Sequence, residues 1–167
     1  MDMYKQAKKL RTLLALCFSQ VSETYHHWRI FAPGNSGVSI EFDRAALLAE
    51  LTTSGVTCSS VHYKTMNDLA ISKIKLEDLP FIKRAAFGDE KEFRMVFSSK
   101  RLALATKDFP ISLSSINRVA INPWLPAPLF TSIRETLLAL DDCKDLTIYQ
   151  SQLIESPLWK KFAGRYA

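Results

Sequence analysis

Apolar and polar positions alternate most clearly over 37–43, Gly-Val-Ser-Ile-Glu-Phe-Asp, where Val38, Ile40 and Phe42 face one way and Ser39 and Glu41 the other. The same period recurs in the stretch from Phe87 to Phe97, with Phe93, Met95 and Phe97 against Glu90, Glu92 and Arg94. These two segments are expected to be strands of one sheet, over 37–43 and 91–97, with the six apolar side chains buried. The run Leu13–Ser19, the segment Val56–Tyr63 and the segments 116–122 and 146–153 supply further strands. Helical spacing of Tyr25, Trp28 and Ala32 predicts a helix over 22–32 capped by Ser22 and stopped by Pro33-Gly34. Asp43 caps a second helix, Arg44 to Thr53, which Gly55 ends. Residues 66–87 predict one or two helices interrupted at Pro80. Leu129, Ile133, Leu137 and Leu140 mark a helix after the cluster Pro123, Pro126 and Pro128. Residues 1–12 form a basic lead-in, and 157–167 a basic tail or short helix.

Strands and helices in no regular alternation predict a single α+β domain, with a mixed or mostly antiparallel sheet and flanking helices. A length of 167 residues with 47% hydrophobic and 11% aromatic residues suits one packed core and excludes a disordered chain. Lys5, Lys8, Lys9 and Arg11 before Leu13–Phe18, with Leu14-Ala15-Leu16-Cys17, imitate a secretion signal. The run is six residues, against roughly 7–15 in a signal core, and is read as a buried strand. No apolar stretch approaches the roughly 20 residues of a membrane span, so a soluble cytoplasmic protein with no membrane partner is expected. Three separated cysteines, Cys17, Cys58 and Cys143, suggest neither a disulfide framework nor a zinc site.

The chemistry narrows by elimination. His26, His27 and His62 have no metal-ligand spacing with acids or cysteines, so no metal is expected. The five glycines form no phosphate-binding loop, and no Gly-x-Ser-x-Gly elbow occurs. A net charge of +5 favours an anionic ligand or nucleic acid without identifying one. Two readings of Glu90, Glu92 and Arg94 stay open: the floor of a site, or a cross-strand ion pair on a half-exposed strand contributing about 0.2–1 kcal/mol. Trp28 is likewise either core or a stacking surface.

Four segments together resemble the bacterial proteins catalogued as domain of unknown function family 2971. They are Cys17-Phe18-Ser19-Gln20 followed by Trp28; residues 37–43; Glu90-Lys91-Glu92-Phe93-Arg94; and Tyr149-Gln150-Ser151-Gln152-Leu153. Members usually carry a Tyr-rich strand and helix ahead of the Cys-Phe-Ser segment, where this chain has a dozen residues, so it is read as a shortened member or one lacking its front part. That resemblance implies a fold, and a phage-defence or toxin–antitoxin setting, but no activity.

Glu90-Lys91-Glu92 before an apolar strand also resembles the Glu-x-Glu element of ADP-ribosyltransferases, and the strand ending in Ser19 is similar to their Ser-bearing strand. This second resemblance implies an ADP-ribosyltransferase-like fold and NAD as substrate rather than as a resident cofactor. Glu92 would then stabilise the oxocarbenium-like species, Glu90 polarise the acceptor and Ser19 line the nicotinamide pocket. A carboxylate of this kind acts on charge that exists only in the transition state. The family's His- or Arg-bearing strand that grips NAD has no counterpart here. The alternative is a non-catalytic module in which Arg94, Lys83 and Arg84, with Trp28, hold a nucleic acid or a protein partner.

Overall fold

The computed structural model describes residues 2–52 and 54–166. Thr53, where the helix from Arg44 was expected to finish, and the two chain ends lie outside them. In chain order the elements are α1 (Asp2–Ala7), β1 (Thr12–Ser19), α2 (Tyr25–Phe31), β2 (Val38–Phe42), α3 (Arg44–Glu50), β3 (Val56–Ser60), β4 (His62–Lys64), α4 (Met66–Ile71), β5 (Ile82–Arg84), β6 (Glu92–Ser99), β7 (Ile116–Ile121), α5 (Ala127–Leu138), β8 (Ile148–Gln150) and α6 (Pro157–Ala163). Short 3-10 turns cover Leu76–Phe81, Ala85–Glu90 and Leu113–Ser115. The class is α+β with small, mostly antiparallel sheets, as the irregular order of strands and helices implies.

Contacts divide the chain into two compact units, the first made of Met1–Ser22 and Glu50–Pro110, the second of Glu23–Ala49 and Ile111–Ala167. In the first, β6 is the centre of an antiparallel sheet in the order β1-β6-β3, and β4 pairs in parallel with β5. Phe93, Met95 and Val96 are buried on β6 because neighbours flank it on both edges, whereas Phe97 is only half-buried. β1 was expected to be a buried strand, but as an edge strand it leaves Ala15, Leu16 and Cys17 exposed. The helical expectation for 66–87 holds for α4 and gives way beyond it. α4 stops at Ile71, and Ile82–Arg84 instead extends to hydrogen-bond the strand His62–Lys64, a partner that no local periodicity announces.

In the second unit β7 is central in the order β2-β7-β8, antiparallel to β2 and parallel to β8. Strands 37–43 and 91–97 therefore belong to different sheets, contrary to the expectation. Nor are Val38 and Ile40 buried: they are 52% and 43% exposed, and Phe42 is half-buried. The apolar cluster of this unit, Val119, Ile121 and Ile148 with Phe130, Leu137 and Leu138 against them, sits over β7 and β8 and stops short of the edge strand β2. Helix α2 starts later than expected because the hydroxyl of Thr24, not Ser22, accepts the His27 N–H at 3.1 Å. Tyr25, expected on the buried face with Trp28, is 53% exposed.

One buried amide closes the second unit. Asn122 has no exposed surface; its Nδ2 donates to the Ser36 carbonyl at 2.9 Å and its Oδ1 accepts from Trp124 N–H at 2.8 Å. The loop it holds passes through Gly37, at φ +115°, where a Cβ would lie 2.6 Å from that of Ala32. Asn122→Ala, which strips buried partners of their hydrogen bonds, is expected to destabilise the chain by about 2–4 kcal/mol in urea denaturation. Gly37→Ala, through strained backbone and overlap, is expected to lower stability by about 1–3 kcal/mol in the same measurement.

Candidate functional site

The chain enters β6 through an abrupt change of backbone. The 3-10 turn Ala85–Glu90 ends at Lys91, whose φ of 44° and ψ of 50° lie in the left-handed region that side chains favour little. Glu90 is thereby the last residue of the turn and not a strand residue, so the expected row Glu90, Glu92, Arg94 on one strand face is reduced to Glu92 and Arg94. Across the ladder Ser19 stands opposite Glu92, and Cys17 opposite Arg94. Directly opposed residues project to the same side of a sheet, so these four share a face.

Glu92 is also not on a solvated surface: its side chain is 3% exposed. Its Oε1 accepts from Arg94 Nε at 2.7 Å and its Oε2 from Lys83 Nζ at 3.1 Å. Lys83 in turn pairs with Glu90, and an Arg94 terminal nitrogen donates to the Pro80 carbonyl. Tyr63 and Lys83 are opposed in the β4–β5 pair, and the Tyr63 hydroxyl accepts the Glu92 backbone N–H at 2.8 Å. At the rim, the Ser19 hydroxyl donates to the Glu90 carbonyl at 3.1 Å, and Ser60 donates to Gln20 at 3.1 Å. Two carboxylates and two cations thus form an internally neutral cluster on which three strand ends converge.

The electrostatics follow from these contacts. Burial raises the Glu92 carboxyl pKa, but hydrogen bonds from Arg94, the Cys17 thiol and Lys83 outweigh it and hold the group at about 2. Burial opposes the charge of Lys83, yet its bonds to Glu90 and Glu92 win and raise its pKa. Arg94 is likewise raised by Glu92 against a burial effect of opposite sign. Although Cys17 is exposed as a residue, partial desolvation of its thiol on the shared face and then the Glu92 carboxylate raise its pKa.

The structure therefore brings together Ser19, Lys83, Glu90, Glu92 and Arg94. Arg84 is exposed, and its guanidinium lies over the Phe87 ring, 5.1 Å from the centroid. Trp28 lies in the second unit, buried, with Nε1 donating to Glu23 Oε2 at 2.6 Å. Tyr63 and the Pro80 carbonyl escaped the sequence reading, for nothing in their neighbourhood marks them. Cys17 was legible, because it lies two residues before Ser19 on the same strand face. Among the described residues no group of three or more His, Cys, Asp or Glu side chains could hold a metal ion. No helix is long and apolar enough to cross a membrane among the described residues.

Charge is divided unevenly between the units. Of 22 basic and 17 acidic residues the first unit carries 14 and 9, which accounts for the whole +5, and the second unit carries 8 of each. With Lys83 and Arg94 neutralised by Glu90 and Glu92, most of the unit's other cations are exposed, Lys5, Lys8 and Lys64 being half-buried. Lys9, Arg11, Lys100 and Arg101 gather at the far end of β6, where Arg11 N–H donates to the Ser99 carbonyl at 2.8 Å and its guanidinium to the Arg101 carbonyl at 3.3 Å. Eight strand residues put that end roughly 25 Å from Glu92.

In the second unit, Tyr149, Gln150, Ser151 and Gln152 of the fourth sequence motif line a cleft of about 570 Å³ with Leu125 and Phe130. Gln150 is fixed there by donating Nε2 to the Leu125 carbonyl at 2.7 Å.

The lowered pKa of Glu92 fixes the sign of a pH effect. A carboxylate depressed on folding stabilises the chain above its ordinary value of 4.5, and that contribution is lost as pH falls through about 2. Glu92→Gln is expected to destabilise the chain by about 3 kcal/mol at neutral pH, since Lys83 and Arg94 lose a buried counter-charge. It should also flatten the fall in stability between those two pH values, as followed by urea titrations at a series of pH.

No curated protein and no solved structure matches this chain. Residues 27–95, which carry the Gly37–Asp43 strand and the Glu90–Arg94 segment, match the family described as "Protein of unknown function (DUF2971)", so the resemblance drawn from those motifs holds over that stretch.

Proposed function

We propose that this chain is a non-catalytic module that binds nucleic acid through the basic end of its first unit. One observation carries the reading: the first unit holds the chain's whole positive excess, and its exposed cations Lys9, Arg11, Lys100 and Arg101 are grouped at one sheet end. Such a group neutralises backbone phosphates and releases their counterions. The occupied state of Glu92 supports the same reading, because both carboxylate oxygens already have cationic partners and almost no surface is left for a substrate. Lys83 and Arg94 are spent inside the cluster, so the phosphate contacts move to residues outside it.

A second reading, an ADP-ribosyltransferase-like enzyme in a phage-defence or toxin–antitoxin setting, is favoured by one feature, the placing of Ser19 directly opposite Glu92. It requires Arg94 or Lys83 to release a carboxylate oxygen to the nicotinamide ribose.

Fluorescence anisotropy with labelled oligonucleotides at several salt concentrations separates the two. The module reading expects binding whose log K falls with log salt, and a slope reduced by about 2–3 in Arg11→Ala/Lys100→Ala/Arg101→Ala. It also expects the wild type to leave NAD intact with cell extract as acceptor source. NAD turnover abolished by Glu92→Gln would replace the module with the enzyme, and retention of an acidic protein but no oligonucleotide would replace nucleic acid by a protein partner.

A further inference from the structure

Sequence sets the geometry of the last helix. Ser156 accepts the Trp159 N–H at 3.2 Å and Pro157 follows it, a strong helix start. The backbone continues past Ala163, with Arg165 N–H to the Phe162 carbonyl at 3.1 Å and Tyr166 N–H to that of Ala163 at 3.0 Å. Spacings of three and four residues then put Trp159, Phe162 and Tyr166 on one face.

This face is not part of a core. Trp159 is 68%, Phe162 48% and Tyr166 80% exposed, and Leu158 beside them is 77% exposed. Their rings form a row, with centroids 5.8 Å apart from Trp159 to Phe162 and 5.4 Å from Phe162 to Tyr166, tilted by 33° and 59°. Tilted rings do not cover one another as a parallel sandwich would, so each keeps a face open. Lys160, Lys161 and Arg165 alternate with the rings along the chain. Lys160 pairs with Glu155, whereas Lys161 and Arg165 enter no ion pair among the described residues.

We infer that Trp159, Phe162 and Tyr166, with Lys161 and Arg165, are a stacking site for single-stranded nucleic acid, an inference that rests on the nucleic-acid reading above and adds the strandedness of the ligand. Open aromatic faces take bases whose own faces are free, which single strands offer and duplexes do not, while the adjacent cations meet the phosphates. A row of two helical turns matches a few nucleotides and is short for a helix lying in a lipid interface.

The test uses the full chain and an oligothymidylate of about 12 nucleotides, within the usual site size. Trp28 is 3% exposed and Trp124 lies under the Arg29 guanidinium, 4.1 Å from its ring, so stacking should quench mainly Trp159. Quenching of the wild type is expected; affinity, read by fluorescence anisotropy of the end-labelled oligothymidylate, should be at least about tenfold lower in Trp159→Ala/Phe162→Ala/Tyr166→Ala and closer to wild type in Trp159→Phe, which keeps a stacking ring. Because all three side chains are exposed, the thermal transition should be unchanged. Wild-type affinity in the triple variant overturns the stacking site, and leaves the module intact where the Arg11/Lys100/Arg101 variant still loses binding. Absence of binding to any oligonucleotide by the wild type overturns both. A blue shift of Trp159 on phosphatidylserine vesicles without quenching by the oligonucleotide overturns it in favour of a lipid surface.

Discussion

A carboxylate removed from water must be compensated by nearby cations and hydrogen-bond donors, and the first unit is built around that requirement at Glu92. Its oxygens are met by Arg94 from the same strand and Lys83 from β5. Its backbone N–H is met by Tyr63 from β4, and its carbonyl accepts Val61 N–H at 2.8 Å. Removing any one of these groups leaves another charge or dipole buried without its partner, which is why the cluster acts as a unit rather than as separate pairs. The left-handed Lys91 is the backbone counterpart: only that turn sets Glu90 within reach of Lys83 while Glu92 begins the central strand.

This arrangement changes what the acidic segment means. A strand-face row of two glutamates and an arginine suggests reactive groups when the residues are counted along the chain. In space, each of those charges has a partner, and a separate group of exposed cations, Lys9, Arg11, Lys100 and Arg101, lies at the opposite end of the same strand. The second unit solves a different problem with a neutral group. Asn122 satisfies the carbonyl of Ser36 and the N–H of Trp124 where a loop crosses its sheet, with no net charge to compensate.

How much of this was legible depends on range. The strands at Val38–Phe42 and Glu92–Ser99 follow from period-two alternation, the strand Ile116–Ile121 from apolar residues set between turn formers, and the helix Ala127–Leu138 from its proline start and apolar spacing. Glu92 and Arg94 on a common face, with Phe93 and Met95 on the other, follow from the same alternation. These features depend on neighbours two to four residues apart, so the amino-acid order alone determined them.

Everything that required a distant partner was decided by the tertiary structure. Alternation specifies that Val38, Ile40 and Phe42 share a face, but whether that face is covered depends on where α5 packs, and β2 proved to be an uncovered edge. The pairing of Ile82–Arg84 with His62–Lys64 turned a helical expectation into a strand and placed Lys83 beside Glu92. Cys17 and Ser19 met Arg94 and Glu92 only through the register of β1 on β6. The physical reason is the same in each case: burial and charge pairing are properties of a residue's surroundings in space, and most of those surroundings come from elsewhere in the chain.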